Sequence, residues 1–181
     1  MVLLPAILAT YATQEEKDQV TALYKAHRLA VYHEAMLVLN SHEDAEDVVQ
    51  EAFILLHGHL KKLEDALSRQ TRGFILLVAK YTALNKRRKA KREKLVPLDE
   101  VPYELPSQDD AIFSRIEADI IFEEIDHLPD SPRELLLMKL RYQCTEKELA
   151  AIMGLHYDTV RKRVERARSL LKERLAKYER R

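Results

Sequence analysis

Apolar residues recur at steps of three and four along most of the 181 positions, the period of helices packed on one side. From Gln14 to Leu39 the stripe is Val20, Leu23, Tyr24, His27, Val31, Ala35 and Val38, which predicts one long amphipathic helix. Asn40-Ser41 ends it, and Ser41 suits the cap of a second helix, with Asp44 three residues on. That helix is expected over 42–60. It opens with acidic HEDAEDVVQE, which favours the positive helix N-terminus, and turns apolar through Val48, Val49, Ala52, Phe53, Leu55 and Leu56. Residues 61–71 lack an apolar period and read as a polar loop or a broken helix. A third helix, expected over 72–92, carries Phe74, Ile75, Leu77, Val78, Tyr81 and Leu84 before running out into KRRKAKR.

The pattern then breaks. Pro97, Pro102 and Pro106 fall among acidic residues in 93–111, and prolines remove backbone donors and favour extended chain, so this stretch reads as a linker. Helical spacing resumes at about 110–127 with Ile112, Phe113, Ile116, Ile120, Ile121 and Ile125. Pro132 is placed to open a further helix over 133–142. Over 144–168 a short helix with Leu149, Ala150 and Met153 on one face meets Gly154, whose tolerance of positive φ suits a tight turn. A second helix follows, with Leu155, Val160, Val164 and Ala167 inward and Arg161, Lys162, Arg163, Arg166 and Arg168 on its other face. That order is a helix-turn-helix; the plain alternative is a helical hairpin with a solvated basic face. The expected fold is all-α: two small helical domains joined by an acidic, proline-containing linker, the C-terminal one a four-helix helix-turn-helix domain.

Composition adds less than charge order does. Three glycines and no tryptophan fit a helical protein, and the single Cys144 cannot form an internal disulfide, which fits a reducing cytoplasm. The opening MVLLPAILATYAT lacks a basic flank and is too short to span a bilayer, so it reads as a tail or partial helix, with no membrane insertion expected. Formal net charge is zero, yet 1–60 carries −6, 61–94 carries +9, 95–130 carries −10 and 139–181 carries +7. Two basic blocks flanking an acidic one point to anionic partners at two places.

Candidate catalytic chemistry is thin. His33-Glu34 opens an HExxH pattern, but position 37 is Leu37; His57 and His59 flank Gly58 without a nearby third ligand and read as a surface or boundary pair. No catalytic residues, no metal ligands and no cofactor are expected. Lys80, Tyr81, Asn85, Lys86, Arg88, Lys89 and Arg92 instead combine phosphate-neutralising cations with an aromatic and an amide, expected on the exposed side of the third helix as a nucleic-acid contact.

The order LYKAHRLAVYHEAML, SHEDAEDVVQEAFILLHGHL, RGFILLVAKYTALNKRRKAKR, an acidic linker and LPDSPRELLLMKLRYQCTEKELAAIMGLHYDTVRKRVERARSLLKERL resembles bacterial RNA polymerase sigma factors of the sigma-70 family, extracytoplasmic-function group. The resemblance covers about 20–175 and implies a region 2 domain at 14–92, a linker at 93–111 and a region 4 domain at 112–181. It implies a promoter-specificity subunit without catalysis of its own, in contrast to a free-standing helix-turn-helix regulator of duplex operators. It implies that Asp44, Asp47, Gln50, Glu51 and Phe53 dock on the polymerase β′ clamp helices, with the β flap a further contact. The loop at 61–72 and the helix after it, with Lys80, Tyr81, Asn85 and Arg88, would read and melt the −10 element. Tyr157, Arg161, Lys162, Glu165 and Arg166 would read the −35 element as duplex. An anti-sigma factor is a possible further partner in such a group, and the linker would be either a polyanion in the RNA channel or a plain tether. Phe74 stands where that family usually has tryptophan and Tyr81 where it often has asparagine; Gly58 and Glu165 are also departures.

Overall fold

The computed structural model describes residues 3–63, 65–92 and 118–178; the linker and the start of the helix expected at 110–127 lie outside them. Eight α-helices and no strand are found among the described residues, in two compact units.

The first unit holds α1 (Leu3–Leu8), α2 (Gln14–Leu39), α3 (His42–Leu55) and α4 (Arg69–Arg92). Both ends of α2 are stopped by local chemistry. Thr13 Oγ1 accepts from Glu16 N at 3.2 Å while Glu16 Oε2 accepts from Thr13 N at 3.1 Å, a reciprocal capping box. At the other end Asn40 adopts left-handed geometry (φ 52°) and donates its N–H to Met36 O. Ser41 Oγ then caps α3 through Asp44 N at 3.3 Å. Val20, Leu23, Tyr24, His27, Val31 and Ala35 are buried along α2, and Ala45, Val48, Val49, Ala52 and Phe53 along α3. Ala35, Ala45, Val48 and Ala83 form a fully buried cluster, small side chains that let α2, α3 and α4 approach closely.

The apolar N-terminal stretch forms a helix, α1, that packs on α3 and α2. Ile7 is fully buried and Tyr11 nearly so, and the Tyr11 hydroxyl donates to Phe53 O at 2.5 Å. Burial first, then the charge of Glu16, pushes the Tyr11 hydroxyl well above the ordinary phenol range. A raised value means the folded state holds this proton more tightly. Its contribution is therefore complete below about pH 10 and is lost as pH rises through the folded value. Tyr11→Phe should cost about 1 kcal/mol in a urea titration at neutral pH and should flatten the alkaline fall in stability.

The second expected helix ends early. After Leu55 the chain tightens into a 3-10 segment, Leu56–Lys62, around Gly58, a poor α-helix former. The tighter turn buries Leu56, His59 and Leu60, and the His59 ring meets Phe74 edge-on with centroids 5.0 Å apart. His59 is thus a core residue rather than a surface one, while His57 is exposed beside Tyr11. At the far side of the loop, Ser68 Oγ accepts from Thr71 N at 3.0 Å, so α4 starts three residues before the expected position.

The second unit contains α5 (Ala118–Asp126), α6 (Asp130–Leu136), α7 (Glu146–Met153) and α8 (Tyr157–Tyr178). Pro132 is the third residue of α6 rather than its first; its missing N–H still falls among those a helix start leaves unpaired. From Leu137 to Arg141 the helix widens to π geometry, Tyr142 N bonding to Leu137 O five residues back. That widened turn sets the Arg141 guanidinium 4.5 Å from the Phe122 ring centre. Arg174 Nε on α8 donates to Glu124 Oε2 on α5 at 2.6 Å.

Candidate nucleic-acid and partner interfaces

The helix-turn-helix is built from its caps outward. Thr145 and Glu148 form a second reciprocal capping box: Thr145 N donates to Glu148 Oε2 at 2.6 Å, and Glu148 N donates to Thr145 Oγ1 at 3.2 Å. Gly154 takes φ +57°, the conformation the sequence demanded of it. Leu149 is buried in α7, and α8 buries Val160, Val164, Ala167, Leu171 and Leu175. Ala150, expected on the apolar face with Leu149 and Met153, is half-buried.

Burying that stripe turns the cationic side of α8 outward. Arg161, Lys162, Arg163 and Arg166 are exposed, and Arg168 is half-buried. Tyr157, the first residue of α8, donates its hydroxyl to Glu146 Oε2 at 3.0 Å, a clasp between the starts of the two helices. That hydrogen bond, with the glutamate's charge, pushes the Tyr157 hydroxyl above its usual range. With the hydroxyl engaged, the exposed part of Tyr157 is chiefly its ring. Glu165 is half-buried, and its Oε2 is enclosed without a hydrogen-bond partner, so this oxygen is not presented outward.

In the first unit the acidic face of α3 is accessible in part. Glu51 is exposed, Gln50 half-buried, and the Asp44 and Asp47 side chains are 44% and 59% exposed. Phe53 is fully enclosed and meets Tyr24 edge-on at 5.1 Å. It lies beneath the acidic face as support rather than on it, a correction that follows from its place on the inward stripe of α3. Tyr81 is also not on the exposed side of α4. Tyr81 is buried, so its ring offers no open stacking surface. Lys80, Asn85 and Arg88 are half-buried. The Arg88 guanidinium turns back along its own helix to Leu84 O at 3.4 Å and to Asn85 Oδ1.

Two residues of α2, His27 of the apolar stripe and the polar Gln19, hold the loop before α4. Gln19 Nε2 donates to Leu60 O at 2.7 Å and to Leu63 O at 3.0 Å. His27 Nε2 lies 2.5 Å from Ala66 O; a carbonyl only accepts, so this nitrogen carries the hydrogen. Asp65 Oδ1 accepts from Leu67 N at 2.9 Å, leaving the Leu67 side chain 81% exposed. The loop is therefore fixed from below by α2 and presents an apolar tip. Gln19→Ala should cost about 1–3 kcal/mol, because two backbone carbonyls lose their shared donor. In hydrogen exchange the Leu67 amide should lose protection well before the centre of α2 does.

Known proteins provide an independent comparison. The sigma-70 region 2 family model matches residues 23–93, and the sigma-70 region 4 model matches residues 118–171. The chain is 27% identical over 161 residues to the ECF RNA polymerase sigma factor SigE of Mycolicibacterium smegmatis, covering 86% of this chain and 61% of that protein. It therefore spans less than two thirds of that relative. It is 22% identical over 171 residues to the ECF RNA polymerase sigma factor SigW of Bacillus subtilis, covering 88% of this chain and 90% of the other. Among solved structures, the sigma factor RpoE in complex with the anti-sigma factor NepR from Bartonella quintana is similar at 20% identity and a TM-score of 0.35, with 91% of this chain and 98% of that one covered. CnrH in complex with the cytosolic domain of CnrY is similar at the same identity and score, with 97% and 96% covered.

Proposed function

This chain belongs to the sigma-70 family, in its extracytoplasmic-function group, and from that premise we propose that it directs core RNA polymerase to specific promoters and helps open them. Residues 14–92 form the region 2 domain, 93–111 the linker and 112–181 the region 4 domain. The acidic face of α3, through Asp44, Asp47, Gln50 and Glu51, docks on the β′ clamp helices of the polymerase. The loop held by Gln19 and His27, with the cations of α4, takes the −10 element as its strands part; unpaired bases are captured by apolar contact and their phosphates by cations. Arg161, Lys162 and Arg166, with the Tyr157 ring, enter the major groove at the −35 element, and the β flap supports this domain. The role is non-enzymatic and cytoplasmic, and an anti-sigma factor covering the docking faces is the natural regulator. Among the described residues no helix is long and apolar enough to cross a membrane.

The observation that carries this reading is the joining, in one chain, of two different interfaces. One unit sets an acidic helix against a basic one, and the other displays exposed cations on the second helix of a helix-turn-helix. An operator-binding regulator would have use for the second unit only. The test is to mix the protein with core polymerase and genomic DNA fragments and map transcript starts. Defined starts absent with core alone are expected. Operator binding without polymerase, and no new starts, would overturn the reading.

A further inference from the structure

Lys86 lies on the basic helix α4, but its ammonium is engaged by the acidic helix α3. Lys86 Nζ donates to Asp47 Oδ2 at 2.7 Å and stands 3.1 Å from Asp44 Oδ1. The spacing of three residues puts both carboxylates on one side of α3, where a single cation can bridge them. All three side chains remain reachable: Lys86 is 29% exposed, Asp44 44% and Asp47 59%. The engagement is mutual. The hydrogen bond to Asp47 raises the Lys86 ammonium above its ordinary range, and the hydrogen bond from Lys86 holds the Asp44 carboxyl below the usual carboxylate range.

The consequence is electrostatic. The two carboxylates belong to the face proposed to dock on polymerase, and Lys86 belongs to the run Lys86, Arg87, Arg88, Lys89 and Lys91 of the helix proposed to take DNA. In the chain alone these opposite charges satisfy each other. A lysine bridging two carboxylates cannot also neutralise a phosphate and release its counterion. An ion pair this exposed is nevertheless weak enough to be exchanged.

We propose that Asp44, Lys86 and Asp47 form an exchange site, in which a cationic side chain of the docked polymerase takes over the two carboxylates and Lys86 turns to a DNA phosphate. The site thereby couples the two faces of the unit. Polymerase docking raises affinity for the DNA strand, and by linkage the strand raises affinity for polymerase by the same factor. Lys86 is in this scheme a phosphate-binding residue held in reserve. The inference rests on the docking role proposed above for α3.

The test uses the full chain and a fluorescein-labelled oligo(dT) of about 20 nucleotides, long enough for one single-strand binding face. Replacing both carboxylates (D44N/D47N) should raise oligonucleotide affinity about three- to ten-fold and steepen the plot of log affinity against log salt by about 0.7, one single-strand phosphate. Adding K86M to that pair should remove the extra slope. Adding K25M should not; Lys25 is an exposed lysine on α2, and its loss changes net charge equally. In the complex with core polymerase, K86M alone should lower oligonucleotide affinity while the chain still co-elutes with core on gel filtration, since the freed carboxylates remain open to a polymerase cation. Equal slopes for the K86M and K25M triple variants, with native core binding intact, would overturn the exchange and leave the docking role standing. Failure of the native chain to co-elute with core would overturn the docking role, and the exchange with it.

Discussion

Phe53→Ala is expected to destabilise the first unit by about 3–5 kcal/mol, read as a fall in the urea midpoint with the slope of the transition unchanged. The side chain is fully enclosed and packs edge-on against Tyr24, so alanine leaves a cavity between α3 and α2. Against a total of about 5–15 kcal/mol for a typical domain, that loss is severe. Any loss of polymerase binding in this variant should therefore track unfolding and recover at low temperature or with stabilising osmolyte. Glu51→Ala should behave in the opposite way. Glu51 is exposed, so its removal should move stability by no more than about 0.5 kcal/mol while weakening binding to core polymerase. A Phe53→Ala chain that keeps its native urea midpoint yet fails to bind core would mean that the phenyl ring itself makes the contact.

The contrast between these two neighbours shows what the sequence could convey. The three-and-four stripe that predicts α3 runs through Val48, Val49, Ala52 and Phe53, so periodicity already turned Phe53 inward. The docking position that the resemblance implies for Phe53 runs against that stripe. Where the determinants are local, sequence and fold agree. The span Gln14–Leu39 agrees with α2 because Thr13, Glu16 and Asn40 enforce both ends, and Gly154 has the positive φ its place between helices required. Where tertiary context decides, the sequence was less legible. The six residues of α1 are too few to show a period, and the fold is needed to reveal that Ile7 and Tyr11 are the ones enclosed. The widened turn at Leu137–Arg141 is a slip of backbone hydrogen bonds with no side-chain signature. Gln19 and Lys86 are ordinary polar residues on helix surfaces until the chain brings carbonyls 41 and 44 positions away, or carboxylates from another helix, into reach.

Arg161→Ala with Lys162→Ala should have the largest effect on DNA binding of any change in the second unit. Both side chains are exposed, adjacent on α8 and turned away from the buried Val160 and Val164, so their removal leaves the hydrophobic packing of the domain intact. A good base contact is worth about 1–3 kcal/mol of discrimination, so together they should lower affinity for a duplex carrying the −35 element by about 2–4 kcal/mol, roughly 30- to 1000-fold. The duplex is taken from the mapped transcript starts, and binding is followed by anisotropy at fixed salt. Base reading and phosphate binding then separate cleanly. If one of the pair touches only phosphate, its single replacement should weaken specific and scrambled duplexes alike and flatten the salt dependence by about 0.9. If it reads a base edge, the loss should fall on the specific duplex, and the preference at one position should relax. Tyr157→Phe supplies the internal comparison. It frees Glu146 from the hydroxyl clasp while keeping the ring, so a reading carried by the ring should survive it, and a reading that depends on the clasp between α7 and α8 should not.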